Sequence, residues 1–270
     1  MGCIDLNADL GEEVGDDAAM LSIVTSANVA CGGHAGSSET MFRTLSLAAE
    51  HGVAVGAHPG YTDREGFGRR VLPMSNDEIA HMVAAQIGAL LAVARLVPID
   101  VTHVKAHGAL ANQAADDRAL ADTIARTVAT IDPGLTVLAI SGTEIEHAAR
   151  AVGLRVVSEV FADRGYLPTG RLIPRGDPGA LIHDAGKAAA RLLGFVETGE
   201  MPVVGAEPIP LAAHSICVHG DSPGAVAMAR QIRHDLTTAG HELRSFAGRM
   251  LDQPVATVLA PGASSGSGST

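Results

Sequence analysis

The sequence predicts an α/β fold with a parallel core, either a (β/α) barrel or a closely related wound sheet. Three observations carry this. Short apolar strands that end in clusters of Asp, His, Lys, Asn or Glu recur along the chain, and amphipathic helical segments fill the gaps between them. The chain has 270 residues, of which 47% are hydrophobic, and one barrel of about 250 residues accounts for nearly all of it. About seven strand–helix units fit between Cys3 and His241, and the pattern alone does not choose between seven and eight strands.

The elements follow in order. Ile4 to Asp9 reads as a strand with Asp5, Asn7 and Asp9 on one face and Ile4, Leu6 and Ala8 on the other, because strand side chains alternate with period two. Further polar-tipped strands are expected at Asn28 to His34, Val53 to His58, Val101 to His107, Val156 to Arg164 and Ile216 to Asp221. Thr40 to Glu50 is amphipathic through Met41, Leu45, Ala48 and Ala49. Ser75 with Glu78 forms a capping box, after which Ile79, Met82, Val83, Ile87, Leu90 and Leu91 recur at helical spacing. Arg118 to Ala129 and Pro223 to Ala239 read as helices on the same grounds, with Pro223 at a first helical position. Gly199 to Pro210 reads as an excursion before the last strand. The expected division is a catalytic barrel over 1–250 and a disordered tail over 251–270, composed after Pro261 almost wholly of Gly, Ser, Ala and Thr.

Composition narrows the function. A net charge of −11 argues against nucleic-acid and anionic-membrane partners, which call for clustered cations. Cys3, Cys31 and Cys217 are an odd number at wide spacing, unlike a secreted disulfide framework. The first nine residues lack a basic segment followed by an apolar run, and no run of about 18 apolar residues occurs. A cytoplasmic protein acting on a small molecule is expected.

In strand–helix folds chemistry gathers at the carboxyl ends of the parallel strands. His103, Lys105 and His107 alternate along one strand and point the same way, and Lys105 is one of two lysines in the chain. A lysine there needs an anion, which is either a structural partner such as Asp5 or Glu159, or an anionic or carbonyl group of a substrate. Asp5 and Asp9 are candidates for general base, metal ligand or partner of Lys105, although Asp9 could instead cap the turn at Gly11. His34 in CGGHAG and His58 in GAHPG end strands beside small residues, and with Asp5 they could hold a divalent ion. No HExxH or paired CxxC accompanies them, so no metal is assigned.

Gly66-Phe67-Gly68-Arg69-Arg70 combines flexible amides with two guanidinium groups, which suits a carboxylate or phosphate. A second cationic group, Arg164, Arg171 and Arg175, follows Glu159 and Asp163. Gly186-Lys187 is not a Walker A loop, since Ala188 stands where Ser or Thr would hold Mg2+. The cysteines read as small buried hydrophobes rather than nucleophiles.

Six segments, DLNADLGEEVG from Asp5, SANVACGGHAG from Ser26, GAHPGYTDREGFGRR from Gly56, VKAHGAL from Val104, EVFADRGY from Glu159 and SICVHGD from Ser215, together resemble the LamB/YcsF family. The likeness runs in order through residues 4 to 246. It implies a (β/α) barrel of the glycoside hydrolase/deacetylase type and the activity of a 5-oxoprolinase A subunit: ATP-dependent ring opening of 5-oxo-L-proline to L-glutamate, performed with subunits B and C. It further implies ATP, with Mg2+, as co-substrate and no organic prosthetic group. The family motifs fall on Asp5, Asn7, Asp9, His34, His58, Lys105, His107, Glu159, Asp163, Arg164, His219 and Asp221. The chain departs from the family at Gly33, usually Phe, at Ala106, usually Pro, at Ala111, usually Tyr, and at His214, often Asp, which suggests a wider pocket. The alternative function is a metal-dependent deacetylase or amidohydrolase acting alone.

Overall fold

The computed structural model describes residues 3–221 and 224–248. In chain order they form β1 (Cys3–Leu10), α1 (Asp17–Leu21), β2 (Ser26–Ala30), α2 (Ser38–His51), β3 (Ala54–His58), α3 (Asn76–Ala94), β4 (Val101–Val104), α4 (Gly108–Ala114), α5 (Arg118–Ile131) and β5 (Thr136–Ile140). There follow α6 (Glu144–Ala151), β6 (Arg155–Phe161), α7 (Ala185–Thr198), β7 (Glu200–Val203), β8 (Ala206–Pro210), β9 (Ser215–Cys217), α8 (Ala225–Thr238) and β10 (Glu242–Leu243), then a 3-10 turn at Phe246–Gly248.

The sheet runs β10-β1-β2-β3-β4-β5-β6-β9, and β9 pairs again with β1. The ring therefore closes through seven parallel strands, with β10 added beside the start of β1. This is the barrel expected from the alternation of strands and helices, and closure settles the strand number at seven. Register fixes the inward set. Asp5 lies opposite Ser215, Asn7 opposite Cys217 and Glu159 opposite Ser215, so these side chains share the lumen. Ile4, Leu6, Ala8 and Leu10 face outward and join the continuous apolar layer between the barrel and its helices.

Local sequence starts the helices, and the capping box at Ser75 is the one expected. Ser37, Ser75, Asp117 and Asp184 each accept a backbone N–H of the first turn, and Ser75 with Glu78 completes the capping box. The 19 residues of α3 are long and apolar enough to cross a membrane by length and composition. Its Ile79, Val83, Ile87 and Leu90 are instead buried in the barrel's apolar layer, each side chain contributing about 1.5–3 kcal/mol.

Several boundaries differ from expectation. β2 stops at Ala30, so His34 sits in the loop beyond it rather than on a strand. β4 stops at Val104, yet Lys105 N–H donates to Ala57 O and His107 N–H to Pro59 O, which keeps the backbone extended along β3. β5 stops at Ile140 and is followed by Ser141-Gly142, so no Asp, Glu, His, Lys or Asn tips it to reveal it. The excursion at 199–210 is a β7/β8 antiparallel hairpin. Pro223 and the expected tail over 251–270 lie outside the described residues.

Candidate active site

A polar network fills the lumen. Thr25 Oγ1 donates to Asp5 Oδ1 (2.6 Å) and Ser26 Oγ to Asp5 Oδ2 (2.8 Å), while Ser215 Oγ also bonds Asp5. Both Asp5 oxygens are thus used by hydroxyls. Burial pushes this carboxyl up to about 6, even though its hydroxyl partners pull it down. Above it, Asn7 Nδ2 donates to Glu159 Oε2 (3.1 Å) and Ser215 Oγ (2.7 Å). Asn28 Nδ2 donates to Asn7 Oδ1 (2.8 Å) and Asp9 Oδ1 (2.9 Å), and His103 Nε2 lies 2.9 Å from Asn28 Oδ1. Burial, then Lys105, lowers the His103 imidazole to about 3, which keeps it neutral.

Lys105 stands at the top of this network. Its Nζ is 2.9 Å from Asp9 Oδ1, 3.0 Å from Glu159 Oε2 and 3.1 Å from Cys217 Sγ. Burial opposes the Lys105 charge, but Asp9, Cys217 and Glu159 outweigh it and hold the ammonium well above its usual range. The two carboxylates respond differently. Burial would raise Asp9, yet His58 and Lys105 hold it well below the usual carboxylate range. Glu159 is raised, by burial and by Asp9, against the pull of Lys105. One ammonium beside two buried carboxyls thus favours an ionised Asp9, and Glu159 is the one readier to take a proton.

These groups open on a cavity of about 640 Å³, lined by Asp9, His58, Lys105, His107, Glu159 and His219 together with apolar residues of β5 and α4–α6. Ala106 and Ala111 also line it, so the small residues at these two positions leave space there. Gly33 does not: a Cβ on it would lie 2.4 Å from Gln86 Oε1. Gln86 is clamped to Gly60, accepting its N–H (3.0 Å) and donating to its carbonyl (2.7 Å), and it fills the space beside Gly33.

Beside Asp9 lies a histidine cluster. His58 Nε2 is 3.5 Å from Asp9 Oδ2 and 3.0 Å from His107 Nδ1. His34 stacks on His107 with ring centroids 3.6 Å apart, and Glu12 Oε1 is 3.0 Å from His34 Nε2 and 3.5 Å from His107 Nδ1. Burial and the neighbouring histidines lower His34 to about 3 and hold His107 well below its usual value. Glu12 is pushed up to about 7, by burial first and then by Asp9. Glu12, His34, His58 and His107 could hold a cation, as could Asp9, Cys217 and His219.

Several expected site residues lie elsewhere. Asp5 is sealed beneath Asn7 and away from the histidines; Glu12, which carries no strand-end signal in the sequence, takes the place given to Asp5 beside His34 and His58. The Gly66–Arg70 loop offers no free amide cradle. Gly66 N–H donates to Asp63 Oδ1, Phe67 N–H to Arg64 O, Gly68 N–H to Asp63 O and Arg69 N–H to Gly66 O. Arg70 turns onto Asp63 and is largely exposed, whereas Arg69 lines the cavity and pairs with Asp221. Arg164 also lines the cavity, yet its guanidinium donates to Ala180 O (3.2 Å) and Ile173 O (2.5 Å), and burial lowers it to about 10. Asp163 pairs with His219 at 2.9 Å; burial opposes its charge, but His219 prevails and lowers the carboxyl. Cys31 is buried, its thiol pushed up to about 12 by burial, as a small core residue should be. Cys217 is also buried but touches Lys105, and Cys3 is only half-buried.

Asn28 and Glu12 are among the site residues that sequence reasoning missed, for different reasons. Asn28 shares a strand face with Ser26, and that period-two signal could have found it. Glu12 adjoins Glu13 in a loop, and nothing local says which of the two turns inward. In the structure Glu12 is buried, while Glu13 has φ 62° and is exposed.

Comparison with known proteins agrees with this construction. The third 5-oxoprolinase A subunit of Pseudomonas syringae pv. tomato is 46% identical over 254 residues, spanning 92% of this chain and 99% of that one. The 5-oxoprolinase A subunit of Mycobacterium avium is 49% identical over 251 residues, spanning 91% and 100%. The crystal structure of a lactam utilization protein from Thermus thermophilus superposes with a TM-score of 0.85 at 43% identity, over 90% of this chain and 100% of that one. The profile of the LamB/YcsF family matches residues 4–250, and the chain belongs to that family.

Proposed function

We propose that the chain is the A subunit of a 5-oxoprolinase, opening the ring of 5-oxo-L-proline to L-glutamate at the cost of ATP, in an assembly with subunits B and C. The observation that carries this reading is Lys105 held between Asp9 and Glu159 at the wall of the cavity. The relatives named for the same activity support it.

A lactam is a poor electrophile for water because its nitrogen feeds the carbonyl. Transfer of the γ-phosphoryl group of ATP to the carbonyl oxygen, with ADP leaving, removes that resonance. Addition of water then yields a tetrahedral centre; its C–N bond breaks, the nitrogen takes a proton, and an acyl phosphate remains. A second water cleaves this to glutamate and phosphate. Cations are needed near the moving phosphoryl charge and a base is needed for each water. Lys105 and Arg69 supply positive charge at the cavity, and Mg2+ accompanies the nucleotide. Asp9, kept ionised, is the base, with His58 and His107 steadying its side of the cavity. Glu159 delivers the proton to the departing nitrogen; it is the more basic carboxyl, and its buried Oε1 has no hydrogen-bond partner among the described residues.

The test is glutamate and ADP release from 5-oxoproline and ATP, by this chain alone and with subunits B and C. Coupled release only in the full mixture supports the reading, and its absence from every mixture overturns it. The histidine cluster favours a second reading, a metal-dependent amidohydrolase acting alone. That reading requires amide hydrolysis without ATP, abolished by a chelator.

A further inference from the structure

Two imidazoles in this site are locked with their lone pairs facing each other. His58 Nδ1 lies 2.8 Å from the backbone carbonyl of Lys105, and His107 Nε2 lies 2.8 Å from that of Phe67. A carbonyl only accepts, so each of these outer nitrogens carries the hydrogen. The inner nitrogens, His58 Nε2 and His107 Nδ1, are then bare in the neutral rings and stand 3.0 Å apart. Carboxylate oxygens surround them: Asp9 Oδ2 is 3.5 Å from His58 Nε2, and Glu12 Oε1 is 3.5 Å from His107 Nδ1 and 3.0 Å from His34 Nε2. Buried acceptors converging in this way repel one another unless a cation lies among them.

We propose that His34 Nε2, His58 Nε2, His107 Nδ1 and Glu12 Oε1 form a binding site for one divalent transition-metal ion of the Zn2+ or Co2+ type. One donor atom from each of these four residues lies within 4.8 Å of the other three. Metal–nitrogen bonds of about 2.0–2.1 Å in a tetrahedron put ligand atoms about 3.3 Å apart, and the 3.0, 3.0 and 3.5 Å separations fall on both sides of that value. A hydrogen bond from the outer ring nitrogen to a carbonyl is the usual support for a metal-bound histidine, and two of the three histidines have one. One of those supports is held in place at a cost. Phe67 has φ 54°, a left-handed conformation unfavourable for an aromatic residue, and it is the residue whose carbonyl meets His107. Three nitrogens and one oxygen suit Zn2+ or Co2+ and are poor for Mg2+, which prefers oxygen. The site is therefore distinct from any Mg2+ that travels with a nucleotide. The other cluster, Asp9, Cys217 and His219, is a weaker candidate because the Lys105 ammonium already sits against Cys217 Sγ and Asp9.

The test is metal binding by the full chain, stripped with a chelator and titrated with Co2+ and then Zn2+. The expected result is one Co2+ per chain with visible d–d absorption, displaced by Zn2+ and untouched by a large excess of Mg2+. His58→Gln and His107→Gln should each weaken Co2+ binding roughly a hundredfold or more, and Glu12→Gln roughly tenfold. A rise in wild-type Tm on adding Zn2+ gives a second readout that needs no variant. Failure of the wild type to bind Co2+ and Zn2+ stoichiometrically, or unchanged binding in both histidine variants, overturns the proposal and assigns the His58–His107 contact to a shared proton. The readouts are spectroscopic and thermal, so they stand or fall separately from lactam turnover.

Discussion

The Lys105 ammonium meets the Asp9 carboxylate at 2.9 Å inside the barrel, and the same nitrogen also serves Glu159 at 3.0 Å. Removing it leaves two buried carboxyls facing each other. Lys105→Met should abolish turnover and also destabilise the fold by about 3–5 kcal/mol at neutral pH, the usual consequence of breaking a buried pair from one side. Denaturant unfolding checks this, and pairing Lys105→Met with Glu159→Gln should recover part of the loss. A substitution at Lys105 is therefore not a clean probe of chemistry unless stability is measured beside it.

Asp5 makes stability depend on pH in the direction opposite to a salt-bridged carboxylate. Its folded pKa is raised from 3.8 to about 6, so the folded chain binds the proton more tightly than the unfolded one. The stability from this group is full below about pH 4 and is lost as pH rises through 6; the total is about 3 kcal/mol. Asp5→Asn should be more stable than wild type at pH 8, and the gap should close as pH falls to 4. Urea midpoints measured across that range check the sign.

Arg69 and Arg70 are neighbours with different tasks. Arg69→Ala removes a cation that lines the cavity and holds Asp221; it should raise the KM for the anionic substrates several-fold or more with little change in Tm. Arg70→Ala removes a largely exposed partner of Asp63 and should leave KM unchanged. Steady-state kinetics of the assembled enzyme separate the two.

Gly33 and Gln86 should be energetically coupled. A Cβ at Gly33 meets the Gln86 amide at 2.4 Å, and that amide is tied to both backbone groups of Gly60. Gly33→Ala should cost about 1–3 kcal/mol in the wild type and much less in a Gln86→Ala background. A double-mutant cycle should give a coupling of about 1 kcal/mol or more.

Much of this was legible in the chain because periodicity and strand-end chemistry are local signals. Asp5, Asn7 and Asp9 alternate, and so do His103, Lys105 and His107, and the lumen receives both sets. What the pattern could not show is depth. Asp5 and Asp9 share a strand face, yet one is closed off by Thr25, Ser26 and Ser215 and the other reaches the cavity. Loops hid the rest. The amides of Gly66 to Arg69 look free in the sequence and are consumed by Asp63, Arg64 and Gly66. Glu12 enters the site only through the path of a loop that no repeat describes. The hairpin at 200–210 was readable as an interruption but not as strands, since each contains Pro.

The two edges of β1 are filled from opposite ends of the chain. One edge takes β2 at Ser26–Val29, close in sequence, while the other takes β9 at Ser215–Cys217. Phe246 then packs on Leu138 and Val157 and against the His103 ring. During synthesis the first strand therefore leaves the ribosome with an open edge that stays open until more than two hundred further residues have followed. An unpaired apolar strand edge invites other chains to pair with it. A nascent chain stalled anywhere before Ser215 is thus a target for chaperones and aggregation, because the ring has no closing strand until β9 has been made.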